Sequence, residues 1–240
     1  MTILEAGTTV NERPAVEYIV PMVRRRVLAL CVVASVVLLF LAGCRQAQEE
    51  KDRWNRVFSN PKPIFNSNPN AFLAEVIRGR RPGVALDLGM GQGRNALFLA
   101  QQGWQVTGVD ISDVGLAQAR EQARKLGVHL DTILENADDF SFGKERWDLV
   151  AMIYFPPRPY VSRIRESLKA GGIVVVEGFH RDSPEKRRLG EGVVFGTNEL
   201  LKVFEDFRVV KYEDVVAPPD WSPHGDQDPA RLVRLLAQKN

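Results

Sequence analysis

From residue 66 onward, apolar and polar residues alternate between two periods. Phe72, Leu73, Val76 and Ile77 recur at helical spacing behind Asn68-Pro69, a side-chain cap followed by a residue suited to a first helical turn, and Gly79 stops the run. Short apolar runs then predict strands over 84–88, 105–109, 129–134, 147–153 and 173–177. Helices are predicted between several of them, over 95–102, 112–126 and 159–169, with Gly103 and Gly127 closing the first two and Ser112 capping the second. A further helix is predicted over 197–205, and two last strands over 207–216 and 231–237 with no convincing helix between them. Strands that alternate with helices predict an α/β, Rossmann-like, doubly wound and mostly parallel seven-stranded sheet. The final two strands are expected as an antiparallel edge pair. So few residues separate the third and fourth strands that one crossover helix is missing or reduced to a turn.

Before residue 45 the pattern changes. A polar leader, 1–20, precedes Met22-Val-Arg-Arg-Arg26 and an apolar run, 27–41, that ends in Leu41-Ala42-Gly43-Cys44. Positive charge, an apolar stretch and small residues before a break form a secretory signal pattern. The last four residues resemble the lipobox of bacterial lipoproteins, which implies lipidation at Cys44. A plain membrane anchor is the alternative, because the run of about 15 to 18 residues sits at the lower edge of what spans a bilayer. The leader is long for a signal peptide, and initiation at Met22 would give an ordinary one. The expected organisation is therefore 1–44 leader and signal or anchor, 45–65 tether and N-terminal cap region, and 66–240 the catalytic domain. Arg24-Arg25-Arg26 would stay in the cytoplasm, so the domain is expected to be membrane-associated and exported, with a cytoplasmic location as the alternative.

A net charge of +2 is too small to argue for nucleic acid, and none is expected as a partner. Both cysteines, Cys31 and Cys44, lie in the apolar leader, which excludes a cysteine zinc site or disulfide from the domain. The three histidines show no ligand spacing, and no metal is expected.

The chemistry lies in Ala85-Leu-Asp-Leu-Gly-Met-Gly-Gln-Gly-Arg-Asn95, where a strand runs through Gly89-x-Gly91-x-Gly93 into a helix. Such a turn lets a ligand approach the backbone and a helix N-terminus. A dinucleotide site would carry its third glycine at position 94, but that position is Arg94 and the glycine comes one residue early. Asp87 would repel a pyrophosphate yet attract the ammonium of an amino-acid cofactor. Asp110, ending the second strand, is placed to accept from ribose hydroxyls.

At these residues the chain resembles the class I S-adenosylmethionine (SAM)-dependent methyltransferases, with Asp87-x-Gly89-x-Gly91-x-Gly93 as their first motif and Asp110 as their second. Gly93-Arg94-Asn95-Ala96, with Gly103-Trp104 through Asp110-x-Ser112, looks like the tellurite-resistance-type branch and its small-molecule relatives. The resemblance implies SAM as cofactor, held also by Arg94, Asn95, Ile111 and Tyr154. Matched backward from Phe140, it puts the adenine contact at Asn136 and Ala137, with Asp138 as the rival. It also implies that the region holding Phe58, Phe65 and Asn66 closes over the cofactor, although Phe65 reads equally as a core anchor.

Methyl transfer needs alignment of donor and acceptor more than a dedicated catalytic group. Nucleic-acid amino-methylating enzymes resemble Asp/Asn-Pro-Pro-Tyr/Phe after the fourth strand. Here the segment is Tyr154-Phe155-Pro156-Pro157-Arg158, without the polar residue that would accept from a base amine. The expected acceptor is a small molecule, a soft nucleophile or an oxyanion. Glu177 and His180 are the candidate catalytic residues, with a strand end and a surface-loop histidine as the bland alternatives. Arg158, Arg181 and Lys186-Arg187-Arg188 are either attractors of an anionic acceptor or a solvated basic face. A non-catalytic nucleotide-binding lipoprotein and a dinucleotide-dependent oxidoreductase are the rival functions.

Overall fold

The apolar run at 84–88 is the central strand β1 (Val84–Leu88), buried on both faces. It belongs to a computed structural model that describes residues 43, 45–61, 65–183, 190–220 and 229–240. The chain divides into two units, Met1–Glu49 and Glu50–Asn240. In the first, residues 43 and 45–49 are helical, and the Arg45 guanidinium donates to Glu49 one turn on. The apolar run at 27–41 and Cys44 lie outside the described residues. No helix among the described residues is long and apolar enough to cross a membrane.

The second unit opens with helix α1 (50–58), in the stretch expected as tether and N-terminal cap region. Helix α2 (Ala71–Ile77) is capped by Asn70, whose side chain accepts from the Leu73 N–H, and not by Asn68 as the sequence suggests. Asn68 and Pro69 lie before the helix, and the Asn68 N–H donates to the Asn66 side chain. Helix α3 (Arg94–Gln101) links β1 to β2 (Gln105–Asp110), and α4 (Asp113–Leu126) links β2 to β3 (Asp131–Leu134). Ser112 caps α4 and Gly127 closes it, as expected. Between β3 and β4 (Trp147–Ile153) the chain makes only turns, so the missing crossover is real. After β4 come α5 (Val161–Ser167), β5 (Leu168–His180), a two-residue β6 (Val194–Phe195), α6 (Glu199–Val203), β7 (Arg208–Ala217) and β8 (Ala230–Gln238).

The strand order is β3-β2-β1-β4-β5-β8-β7, with β6 added beside β5. Neighbours from β3 to β5 pair in parallel, and β8 runs antiparallel to both β5 and β7. Strand alternation sends Leu86, Leu88, Val150 and Met152 to one core, where they meet Phe140, Phe142, Phe195 and Phe204. Ala85, Leu149 and Ala151 face the other, against Phe72, Leu73, Leu99 and Leu116. Two covered faces are why these strands read as unbroken apolar runs. The fold is the expected one. β5 is longer than its apolar run because an irregularity between Trp147 and Leu149 lets Leu168 pair with Trp147 before the regular register begins at Ile173. At its far end β5 extends to His180, held by β6 and β8.

Candidate cofactor and acceptor site

The glycine turn hangs on the end of β2. The Gly89 and Met90 N–H groups both donate to the Val109 carbonyl, at 2.9 and 3.2 Å, and the Gly91 N–H donates to Asp110 Oδ2 at 2.8 Å. Gly89 and Gly91 have φ of 68° and 54°, a region that side chains rarely adopt. Each also has an aromatic ring where a side chain would stand. A Cβ at Gly89 would lie 2.2 Å from Phe155, and one at Gly91 would lie 2.9 Å from Phe58. Both glycines are therefore required twice over. Gly93 is the N-cap of α3 and offers no side-chain cap.

Two acids sit beside this turn. Asp110 is 9% exposed, its Oδ1 accepting from the Ser112 N–H and its Oδ2 from Gly91. Burial raises its pKa, opposed by those backbone donors. Asp87 is 2% exposed, and its Oδ2 has no hydrogen-bond partner among the described residues. Burial pushes its pKa up to about 7, opposed by the Arg94 charge and the Ala96 N–H and reinforced by Asp110. A buried, unpartnered carboxylate oxygen at the end of β1 fits a group that brings a positive charge and N–H donors, as the ammonium of SAM does.

Helix α1 covers the same edge. Asn55 accepts from the Ser112 hydroxyl and donates to Asp113, Lys51 pairs with Asp113 at 3.1 Å, and Gln118 donates to the Phe58 carbonyl. Trp54, Phe58 and Phe65 form one aromatic cluster, which places Phe58 on Gly91. Ile111, between Asp110 and Ser112 along the chain, is half-buried. The Glu135 N–H donates to the Asp110 carbonyl, which brings the loop after β3 beside the end of β2. In that loop Asn136 Oδ1 accepts from the Asp138 N–H, and buried Ala137 offers its carbonyl to Arg163. The Asp138 carboxylate accepts from the Tyr160 hydroxyl.

On the β4–β5 side, Tyr154 has φ 55°, an uncommon backbone for a bulky residue, and its N–H donates to the Glu177 carbonyl at 2.8 Å. Its ring stacks on Phe179 and its hydroxyl donates to Glu177 Oε1. Glu177 is 1% exposed and also accepts from Asn70 Nδ2 at 2.9 Å and Arg234 Nε at 2.6 Å. Burial, then the Asp220 charge, raises the Glu177 pKa, while Arg234 and Tyr154 oppose the shift. Burial and the neighbouring Glu177 and Asp220 charges hold the Tyr154 hydroxyl protonated far above its ordinary range. The Arg94 side chain turns to Asp220 and the Asn68 carbonyl, and Asn95 Oδ1 accepts from the Asn70 N–H.

Two sequence readings are corrected. His180 is not on a surface loop: it ends β5, 2% exposed, with Nδ1 accepting from the Asp182 N–H and Nε2 at 3.2 Å from Thr197 Oγ1. The Asp182 carboxylate also lies 3.3 Å from Nδ1, so both ring nitrogens face partners within the protein. Arg158 is not a free attractor for an anion. Its guanidinium donates to Glu199 and to the Gly192 and Val194 carbonyls while lying over the Phe195 ring, and so fastens β6. Lys186, Arg187 and Arg188 lie outside the described residues. Asp220, which joins Asn70, Ala71 and Arg94, carried no signal in the sequence because no motif surrounds it.

A parallel sheet with a glycine turn between β1 and α3, an acid ending β2 and an antiparallel final pair is the class I methyltransferase architecture. Residues 85–172 match the methyltransferase domain family. Over 183 residues it is 25% identical to a probable S-adenosyl-L-methionine-dependent methyltransferase, TehB, of Haemophilus influenzae, across 72% of this chain and 64% of the relative. The chain thus spans slightly less than two thirds of that relative. A ubiquinone biosynthesis O-methyltransferase of Erwinia tasmaniensis is 30% identical over 142 residues, 55% of this chain and 57% of its own. The crystal structure of TehB from Haemophilus influenzae shares the fold, with TM-score 0.60, 22% identity, and coverage of 70% of this chain and 62% of that one.

With the SAM ammonium held at Asp87, as proposed below, affinity should fall by up to about tenfold per unit as pH drops below about 7, and level off above it. Because burial raises the pKa above the unfolded value, ionisation costs stability progressively between the unfolded value near pH 4 and about 7. Asp87→Asn should therefore raise Tm by several degrees at pH 8, lose that gain toward pH 4, and abolish the pH dependence of SAM binding. Calorimetric titration and thermal melts across this range check both signs.

Asn70→Ala removes the α2 cap and one donor shared by Glu177 and Asp220. A lost cap costs about 1 kcal/mol and a lost hydrogen bond to a buried carboxylate about 1.5–3. Urea denaturation should register a loss of about 2–4 kcal/mol in all, and a change within about 0.5 kcal/mol would disprove the dual role.

Proposed function

We propose that the chain transfers the methyl group of SAM to a small-molecule acceptor, a soft nucleophile such as a thiol or chalcogen first and an oxyanion second. The observation that carries this reading is the pairing of the unpartnered Asp87 oxygen with the glycine turn held by Asp110. SAM, when bound, supplies an activated methyl on a good leaving group. Asp110 holds the ribose hydroxyls, Asp87 the ammonium, and Ile111, Asn136 and Ala137 the adenine. Gly89, Gly91 and Gly93 admit the cofactor, with Arg94 and Asn95 shaping the turn beside it. Tyr154 and Glu177 bound the acceptor side, where the protonated Tyr154 hydroxyl orients rather than accepts a proton. The relatives support a small acceptor: one is by name an O-methyltransferase of ubiquinone biosynthesis. The chain has no polar residue at Phe155 to accept from a base amine, which disfavours nucleic acid.

For location, we propose lipidation at Cys44 and export, resting on the signal pattern alone. An exported domain needs an extracytoplasmic supply of SAM or has lost catalysis; initiation downstream would instead give a cytoplasmic form.

Asp110→Ala should weaken SAM binding by roughly tenfold to over a hundredfold, since it leaves hydroxyls unpaired and releases the Gly91 N–H. Unchanged affinity in a folded variant would sink the ribose assignment. Turnover of SAM with a panel of thiols, chalcogen anions, oxyanions and duplex DNA identifies the acceptor class; methylated DNA with inert small molecules would reverse it.

Cys44→Ala should abolish both incorporation of labelled lipid and processing at that position. A reporter fused after Asn240 that works only in the cytoplasm, with no lipid on Cys44, refutes the lipoprotein reading.

A further inference from the structure

We propose that Phe155 is the residue by which the site distinguishes SAM from its product, S-adenosylhomocysteine, through the face of its ring on the sulfonium. The inference rests on SAM as cofactor and on where the chain puts this ring. β2, β1 and β4 are adjacent, and their ends carry Asp110, the glycine turn and Tyr154-Phe155. A cofactor with its ribose at Asp110 and its ammonium at Asp87 has its sulfur between the two, at the end of β1. There the Phe155 ring lies directly against Gly89. It is stacked on Tyr160 at 5.8 Å between centroids and remains partly exposed.

The electrostatic surroundings leave this task to a ring. The nearby carboxylates have other tasks: in this reading Asp87 takes the ammonium and Asp110 the ribose, while Glu177 is bonded to Asn70, Tyr154 and Arg234, and Asp220 to Asn70, Ala71 and Arg94. An aromatic face attracts a cation without forming a hydrogen bond and without repelling an electron-rich acceptor as a full negative charge does. Methyl transfer removes the positive charge from the sulfur, so the attraction exists for the donor and disappears for the neutral thioether. Where nucleic-acid amino-methylating enzymes carry a polar residue before the two prolines, this chain has a ring that reads the charge of the donor.

The test is a pair of titrations on the full chain, with SAM and with S-adenosylhomocysteine. Phenylalanines bearing successive ring fluorines are introduced at position 155, which keeps the ring's shape while weakening its negative face. Affinity for SAM should fall stepwise, by about threefold to thirtyfold in total, with affinity for S-adenosylhomocysteine within about twofold of the unsubstituted protein. Phe155→Leu should reproduce the selective loss. Equal losses for both ligands would assign the ring to packing on Gly89 and overturn the proposal, as would no loss for either. If the unsubstituted chain bound neither ligand, the cofactor reading itself would fall, an outcome distinct from equal losses.

Discussion

Asp87 is a carboxyl at the end of the central strand, 2% exposed, with one oxygen unpartnered among the described residues. Burying such a group without a partner costs free energy that apolar packing must offset. The turn that follows cannot relax to relieve it. Gly89 and Met90 are tied to β2, Gly91 is tied to Asp110, and aromatic rings lie on Gly89 and Gly91. The protein thus holds a destabilised acid in a fixed place. A cationic ligand that reaches it gains an interaction already oriented, with little to reorganise.

A second, denser polar network lies at the ends of β4 and β5. The Asp220 charge raises the cost of ionising Glu177, and Asn70, Arg94, Arg234 and Tyr154 surround the two carboxylates with donors. Arg94 stands at the start of α3 immediately after the glycine turn, Asn70 caps α2, and Asp220 follows β7. Three separate parts of the chain are fixed to one another beside the turn. Loosening any member leaves buried charge without its partner, so the arrangement is all-or-none. The strained Tyr154 backbone is held within it by the Glu177 carbonyl.

The glycine turn and the acid ending β2 were legible because local rules generate them. A glycine turn after an apolar strand needs glycine at fixed spacing, and an acid ending the next strand has one place to point. The sheet was legible because strands covered on both faces leave continuous apolar runs. Capping was misread by two residues because Asn68-Pro69 and Asn70 both satisfy the local rule, and only the tertiary partners Glu177 and Asp220 select Asn70. The tertiary partners of His180 and Arg158 were equally invisible: one residue is buried by β6 and β8, and the other is claimed by Glu199 and two carbonyls. The stretch read as tether and N-terminal cap region, 45–65, includes α1, whose docking no local rule foretells, since Asn55 meets Ser112 across 57 positions.

This difference between the two halves follows from the reaction. The donor is a fixed molecule with a ribose, an ammonium and a sulfonium, so its contacts recur as spacings along β1 and β2. The acceptor needs only to be aligned on a methyl group that is already activated. Alignment can be achieved by any rigid wall, and in the proposed site that wall is the Tyr154–Glu177–Asn70 network with its charges internally satisfied. A wall whose polar groups bond to one another presents few unmatched donors or charges to an entering molecule. Such a surface favours a nucleophile selected by size and polarisability over one selected by many hydrogen bonds. That is the physical ground for placing a soft, small acceptor ahead of an extensively hydrogen-bonded one.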